Sequence, residues 1–152
     1  MFSAGSFPYA ERYKYKITED SLIHILESLK ANDSSLVVPE GYGFADGRGE
    51  SSTYWYYIYF YNKTRDEIIL TWVRKGRYLG YTNLAFVGVK KREDVGNWKN
   101  INKDFSRAEN KARKKEFKAL ILDKLDKIHL PIEEDWIEGN ALLFIRVDVG
   151  GL

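Results

Sequence analysis

The sequence predicts an α+β protein with a mainly antiparallel β-sheet of about five strands and two helices packed on it. Residues Thr53–Tyr61 form an uncharged run of one Trp, five Tyr, one Phe, one Thr and one Ile, which fits a pleated strand better than a helix. Short polar turns separate this run from two further apolar stretches, a pattern typical of hairpins. Two segments with helical periodicity lie on either side of these three strands.

The first strand and the first helix are predicted over residues 12–31. Residues Arg12–Ile17 alternate cations with apolar side chains, which is typical of an edge strand with one positive face. Thr18 stands at an N-cap position, and Glu19 and Asp20 follow where the helix dipole favours acids. The helix should end near Ala31, and residues 1–11 should form a loose arm before the strand.

A glycine-rich loop is predicted between this helix and the aromatic strand. Leu36–Val38 reads as a short strand closed by Pro39. The segment Glu40–Glu50 contains four glycines and should be a mobile loop.

Two hairpins should follow the aromatic strand. A turn tip at residues 63–64 places Trp55 opposite Trp72, and Tyr57 opposite Leu70, on one face, with Tyr59 opposite Ile68 beside them. Ile58 would face Ile69 on the other side; a slip of one residue would exchange the two faces. A second tip at residues 75–76 leads to a strand over 78–90, in which Gly80 or Gly88 would allow a β-bulge.

The last part of the chain predicts a long helix and a final strand. The helix should run from about Asp104 to Ile128, and its two halves carry their apolar residues on nearly opposite sides, so it should bend or meet different surroundings. An acidic turn, Glu133–Asn140, leads to an apolar strand over Ala141–Val149. Nothing divides the chain, so we expect a single domain over residues 1–152.

Composition argues against several classes of function. The sequence has no Cys, which removes disulfides and thiolate sites, and its only histidines are His24 and His129. We therefore expect no metal and no cofactor. The sequence shows no leader pattern and no apolar run of about 20 residues, so we expect a cytoplasmic protein that does not bind membranes.

The leading functional expectation is a non-enzymatic protein that binds another protein. Tyr, Trp and Arg dominate the energetics of protein interfaces, and the two central strands bring such residues together. A small inhibitor or immunity-type protein that caps another macromolecule has this general character. The expected contact residues are Trp55, Tyr57, Tyr59, Trp72, Arg74 and Arg77.

Nucleic-acid binding is the first alternative. Residues 90–118 contain 11 basic and five acidic residues, a net charge of +6 within a chain whose net charge is +2. Cations along one helix suit a phosphate backbone, although acids interrupt the run. The residues that would carry this function are Lys90, Lys91, Arg92, Arg107, Lys111, Arg113, Lys114, Lys115 and Lys118.

An enzyme with a site in the glycine-rich loop 41–50 is the second alternative. Asp46 and Glu50 flank Arg48 there. The glycine spacing lacks the strand-to-helix setting of a phosphate cradle, and the loop leads into a strand instead. Carboxylates in polar turns are usually solvated, which weakens the case for acid–base chemistry.

Overall fold

The computed structural model describes residues 7–49, 54–78, 80–92, 97–128 and 131–132. It confirms the predicted fold class: an antiparallel sheet with helices packed on one face. Four strands of five to ten residues form its body: β1 (Glu11–Tyr15), β3 (Tyr56–Asn62), β4 (Glu67–Lys75) and β5 (Thr82–Lys91). Three two-residue strands are added to these: β2 (Gly47–Arg48), β6 (Lys99–Asn100) and β7 (Pro131–Ile132).

The sheet order is β2-β3-β4-β5-β1-β7, with β6 paired to β5. Every described pairing is antiparallel. Strand β5 is central, because one of its edges pairs with β4 while the other pairs first with β1 and then with β6. The N-terminal strand β1 thereby pairs with β5 of the second hairpin, from which it is separated by about 70 residues of sequence.

Helix α1 (Glu19–Asn32) begins where the sequence predicts. The Thr18 side chain accepts a hydrogen bond from the Ser21 backbone N–H at 3.2 Å, which satisfies one of the free donors of the first turn. The strand predicted over Leu36–Val38 was wrong: Ser34–Leu36 form a 3₁₀ turn. The Asp33 side chain accepts from the Ser35 N–H at 3.1 Å, and this local bond favours a turn over an extended chain.

The long C-terminal helix contains a wide turn that explains its two apolar stripes. It consists of α2 (Arg107–Phe117), a π-helical turn over Lys118–Leu122 and α3 (Asp123–Ile128). A π turn holds more residues than an α turn, so it rotates the side chains that follow relative to those that precede it. The predicted start near Asp104 lies three residues early, because the Ser106 side chain caps the helix by accepting from the Glu109 N–H.

The helices cover one face of the sheet and form the main core there. Leu22 and Leu26 of α1, together with Phe117, Ile121 and Leu125 of the C-terminal helix, pack against the inward side chains of the strands. The strands contribute fully or almost fully buried residues to this core, including Ile58, Phe60, Ile69, Val73, Leu84 and Phe86. The opposite face of the sheet is covered by no described helix.

The predicted register of the first hairpin was wrong by two residues. Tyr57 pairs with Trp72 and Tyr59 with Leu70, so the loop is four residues long, over 63–66. Asn62 Oδ1 accepts from the Arg65 N–H, and Asp66 adopts a positive φ of 53°, and together these close the longer loop. A shift of two residues keeps every side chain on its predicted face.

The second hairpin also has a longer loop than predicted. Lys75 pairs with Thr82, so residues 76–81 form the connection and the strand begins at Thr82, not Tyr78. The predicted bulge lies next to Gly88: Leu70 pairs with Gly88 and Thr71 with Phe86, so Val87 is the extra residue. A Cβ atom at Gly88 would lie 2.4 Å from the Lys99 carbonyl oxygen of β6, so glycine permits this close approach.

The strand predicted over Ala141–Val149 lies outside the described residues. Within the described residues, no helix is long and apolar enough to cross a bilayer.

Candidate functional site

The helix-free sheet face carries the aromatic residues singled out in the sequence. Trp55, Tyr57 and Tyr59 alternate with the buried residues of the core, and Trp72 lies opposite Tyr57 on β4. Around Trp72 a second apolar cluster forms, with Ala85 and Val87 buried beside it. The protein therefore has a core on each side of its sheet, and among the described residues the second is covered by loops and the N-terminal arm.

Residues 7–10 of the arm cross this face and pack on its rings. The Phe7 ring lies 5.6 Å from that of Trp55 and 6.2 Å from that of Trp72, measured between centroids. The centroids of Trp55 and Trp72 are 6.4 Å apart. These edge-on and tilted contacts are the arrangements that aromatic quadrupoles favour.

A second group of rings lies at the other end of the same face. The Phe44 centroid lies 5.0 Å from that of Tyr59 and 5.5 Å from that of Trp98. The Lys90 ammonium lies 5.3 Å from the Phe44 ring centre. Burial raises the pKa of both Tyr57 and Tyr59, so these phenols stay protonated at neutral pH.

Between the arm and the second hairpin the face is hollowed into a cleft of about 670 Å³, which we call the cationic cleft. Its aromatic side is formed by Phe7, Trp55 and Trp72. Its basic side chains are Arg12, Arg74, Lys75 and Arg77, and Asn83 also lines it. A second cavity of about 660 Å³ shares Arg12, Arg77 and Asn83 with it, so the hollow continues as a groove toward Lys14.

Cross-strand pairing explains why a hollow forms here. Ala85 of β5 lies between Arg12 of β1 and Trp72 of β4, because it pairs with both. Asn83, two residues earlier, lies in the same way between Lys14 and Arg74. Two small residues in the central strand are thus flanked by large ones on both neighbours, which leaves a depression with positive rims.

The described residues that line the cationic cleft include no acid. The Arg74 guanidinium carbon lies 5.0 Å from the ring centres of both Tyr54 and Trp55, and that of Arg12 lies 6.0 Å from the Trp72 ring. No described carboxylate pairs with Arg12, Arg74 or Arg77. Glu19 at the margin of a neighbouring depression is already bound to Arg48. The cleft therefore presents positive charge over aromatic walls, an arrangement suited to an anionic group.

The structure brings together most of the residues predicted to contact a partner. Trp55, Trp72, Arg74 and Arg77 line the cationic cleft, and Tyr57 packs beside it on Phe7 at 6.1 Å. Tyr59 lies apart, in the Phe44 group. The sequence reading missed Arg12 and Asn83, which reach the cleft only through long-range pairing; the positive alternation of Arg12–Ile17 was the available signal.

The basic segment is divided by its local contacts. Arg113 is buried and binds Glu67 through two hydrogen bonds of 2.9 and 3.2 Å, so its guanidinium points into the protein. Two more of the predicted phosphate contacts pair with carboxylates, Lys114 with Glu11 and Lys118 with Asp123. Lys90 and Arg92 lie over aromatic rings, as Arg12 and Arg74 do in the cationic cleft. The exposed cations that remain are Lys91, Arg107, Lys111 and Lys115.

The glycine-rich loop is fixed by its charged residues. Asp46 accepts from the Lys30 ammonium at 2.7 Å and from the Tyr59 backbone N–H at 2.9 Å. Arg48 binds Glu19 of α1. Asp46 and Arg48 of the alternative enzyme site thus hold the loop to α1 and to β3, while Glu50 lies outside the described residues. Gly41 and Gly43, with φ of 96° and 74°, supply conformations that other residues rarely adopt.

No group of three potential metal-ligating side chains is found in the part of the chain that the structure describes. His24 is exposed on α1, and His129 lies outside the described ranges. Comparison with protein families, with curated proteins and with solved structures finds no match for this chain.

Proposed function

We propose that this protein binds an acidic partner protein through the helix-free face of its sheet and performs no catalysis there. The observation that carries the proposal is the cationic cleft, which is lined by three arginines and three aromatic rings and by no acid among its described lining residues. Trp, Tyr and Arg are the residues that most often dominate binding energy at interfaces. An inhibitor or immunity-type protein, which caps an acidic surface of another protein, fits this arrangement best.

The rigid setting of the cleft supports the same role. Trp72 is buried on the central hairpin, and Trp55 is held by Phe7 and by the Arg74 guanidinium. Side chains that are already fixed lose little freedom when a partner binds, so more of the contact energy is realised as affinity. The positive rim would also speed association with an acidic partner at low salt.

Site-directed photocrosslinking in cells of the source organism tests this proposal. A benzophenone side chain replaces Tyr54, an exposed ring at the margin of the cleft, and in a matched variant it replaces Lys111 on α2. We expect a discrete protein adduct from position 54 that resists nuclease, and its loss in the double variant Arg12→Glu, Arg74→Glu. Adducts that form equally at position 111, or that survive the double charge reversal, would contradict the proposal.

Nucleic-acid binding by α2 is a second candidate, favoured by one specific observation. Arg107, Lys111 and Lys115 are exposed and spaced four residues apart, so they share one side of the helix. This surface would bind single-stranded oligonucleotides at low salt, and Lys111→Glu, Lys115→Glu would abolish the binding while Arg12→Glu, Arg74→Glu would leave it unchanged. A gel-shift titration at about 50 mM salt that shows no binding by the unaltered protein would remove this candidate.

A further inference from the structure

Two buried polar atoms on the wall of the cationic cleft have no hydrogen-bond partner in the described chain. They are the indole nitrogen Nε1 of Trp72, a donor, and the side-chain oxygen Oδ1 of Asn83, an acceptor. Trp72 is only 3% exposed. Leaving such groups unpaired and out of water costs folding free energy, so their presence requires an explanation.

The two atoms belong to one site. Trp72 pairs with Ala85, and Asn83 lies two residues from Ala85 on the same face of the sheet. Because two residues of a strand span about 7 Å, Asn83 lies about that far along the strands from the Trp72–Ala85 pair. Both side chains line the cationic cleft, between the Arg12 side of the sheet and Arg74. The wall of the cleft thus contains a donor and an acceptor without a described partner, near guanidinium groups with which no described carboxylate pairs.

A ligand that satisfies this site must bring a negative charge, an acceptor and a neighbouring donor. Hydrogen phosphate also carries a donor, its P–O–H group, but it holds the charge, the acceptor and the donor on one compact group, whereas Trp72 and Asn83 lie about 7 Å apart along the strands. A peptide segment with an acidic residue supplies all three, because its carboxylate accepts hydrogen bonds and its main-chain N–H donates one. The planar fork of arginine also matches the two oxygens of a carboxylate.

We propose that the cationic cleft binds an extended segment of the partner protein that carries an Asp or Glu side chain. The segment displaces the side chains that bury the two atoms in the free protein. Its carboxylate then accepts hydrogen bonds from Trp72 Nε1 and from Arg74 or Arg12, and a main-chain N–H of the segment donates to Asn83 Oδ1. This assignment rests on the proposed function and specifies which chemical group of the partner is recognised. It makes the two unpaired atoms the base of a carboxylate subsite.

Isothermal titration with a defined probe tests the subsite. The probe is an eight-residue peptide of alternating Glu and Gly with blocked termini, and its Gln counterpart is the control. We expect the Glu peptide to bind at least tenfold more tightly than the Gln peptide. Equal binding of the two peptides would overturn the proposal.

An isosteric change of Trp72 separates ligand binding from packing. Replacing the indole by benzothiophene exchanges the N–H for sulfur and keeps the ring system. We expect affinity for the Glu peptide to fall about fivefold or more, while the midpoint of urea unfolding of the free protein stays the same or rises, because an unpaired buried donor has been removed. The same replacement at Trp98, outside the cationic cleft, should change neither quantity. Unaltered affinity in the Trp72 analogue would exclude the subsite.

Asn83→Asp provides a second variant that keeps the size and acceptor of the side chain but adds a negative charge. We expect this variant to bind the Glu peptide at least tenfold more weakly, because the added negative charge repels the peptide carboxylate. Tighter binding of inorganic phosphate or uridine monophosphate than of the Glu peptide would assign the cleft to phosphate ligands and overturn the proposal. Tighter binding of a peptide with the chain's own sequence Glu133–Glu138 would assign it to this chain instead, with the same consequence.

Failure of the subsite and failure of the proposed function give different results. If the photocrosslinked partner at position 54 is lost on charge reversal but is unaffected by the benzothiophene analogue, the cleft binds the partner without the Trp72 hydrogen bond. If no partner adduct depends on Arg12 and Arg74, the proposed function itself is wrong.

Discussion

At the scale of single residues, Tyr15 shows how the protein places a phenol and a carboxylate at the edge of its main core. Tyr15 is 1% exposed, and its hydroxyl donates to Asp126 Oδ1 of α3 at 3.0 Å. Burial raises the pKa of Asp126, whereas the hydrogen bond from Tyr15 lowers it, so the phenol offsets part of the cost of the buried charge. This bond links the N-terminal strand to the last described helix.

We expect Tyr15→Phe to destabilise the protein by about 1–2 kcal/mol at pH 7, because it leaves the Asp126 carboxylate without its donor. The Asp126 pKa should rise further in this variant. When the folded-state pKa of Asp126 lies above its unfolded value, the ionised carboxylate destabilises the folded protein. This destabilisation is absent below the unfolded pKa and grows as pH rises through the folded pKa. The loss of stability should therefore shrink between pH 7 and pH 3.

Urea unfolding at several pH values checks this expectation. Tyr13→Phe is the matched control, because Tyr13 lies on the same strand and packs on Phe117 at 5.9 Å between ring centres. Its effect should be small and independent of pH over the same range. A Tyr15→Phe penalty of equal size at pH 3 and pH 7 would show that Asp126 is not the group that Tyr15 stabilises.

At the scale of secondary-structure elements, ion pairs attach α2 to the first hairpin. Arg113 and Glu67 have side chains that are 9% and 2% exposed. Nearby, Arg65 binds both oxygens of Glu116 at 2.5 Å, and Asn62 donates to the same carboxylate. Arg65 holds the pKa of Glu116 below its usual range. A helix with few apolar residues thus docks through paired charges, and Arg113, which the sequence analysis assigned to phosphate binding, serves this docking instead.

A double-mutant cycle on Arg113 and Glu67 measures this attachment. We expect Arg113→Met and Glu67→Leu each to cost about 3–5 kcal/mol, since each leaves a buried charge unpaired. The double variant should be more stable than either single variant, because it removes both charges and keeps their volume. Free energies of unfolding from urea titrations give the coupling; strictly additive effects would mean that the pair is not coupled in the folded state.

At the scale of the whole molecule, local patterns in the sequence predicted the elements, whereas long-range pairing determined the site. The faces of Tyr57 and Trp72 followed from the two-residue period of a strand, which survives a register shift of two. The shift itself was missed because it depends on the Asn62 side chain and the positive φ of Asp66. Arg12 and Asn83 could not be assigned to the cleft, because their positions depend on β1 pairing with β5 across about 70 residues of chain.

The two faces of the sheet differ in what covers them and in the residues they carry. One is closed by helices and holds the main core, and the other carries aromatic rings, loops and arginines with which no described carboxylate pairs. An apolar face with a polar rim is typical of a surface that binds another protein. The exposed cations of α2 lie on the other side of the molecule's sheet, so the two candidate binding surfaces can be tested separately.

The most direct test of the sheet face as the binding surface is a nitrogen-15 NMR titration of the full chain with the Glu-containing peptide. The sequence has four Trp residues, so four indole signals are expected, and variants at single positions assign them. We expect the Trp72 indole N–H signal to move downfield, with shifts at Trp55 and Asn83 and none at the amides of Arg107–Phe117. Shifts confined to Arg107–Phe117, with the Trp72 and Trp55 signals unmoved, would contradict this assignment and place binding on the helix.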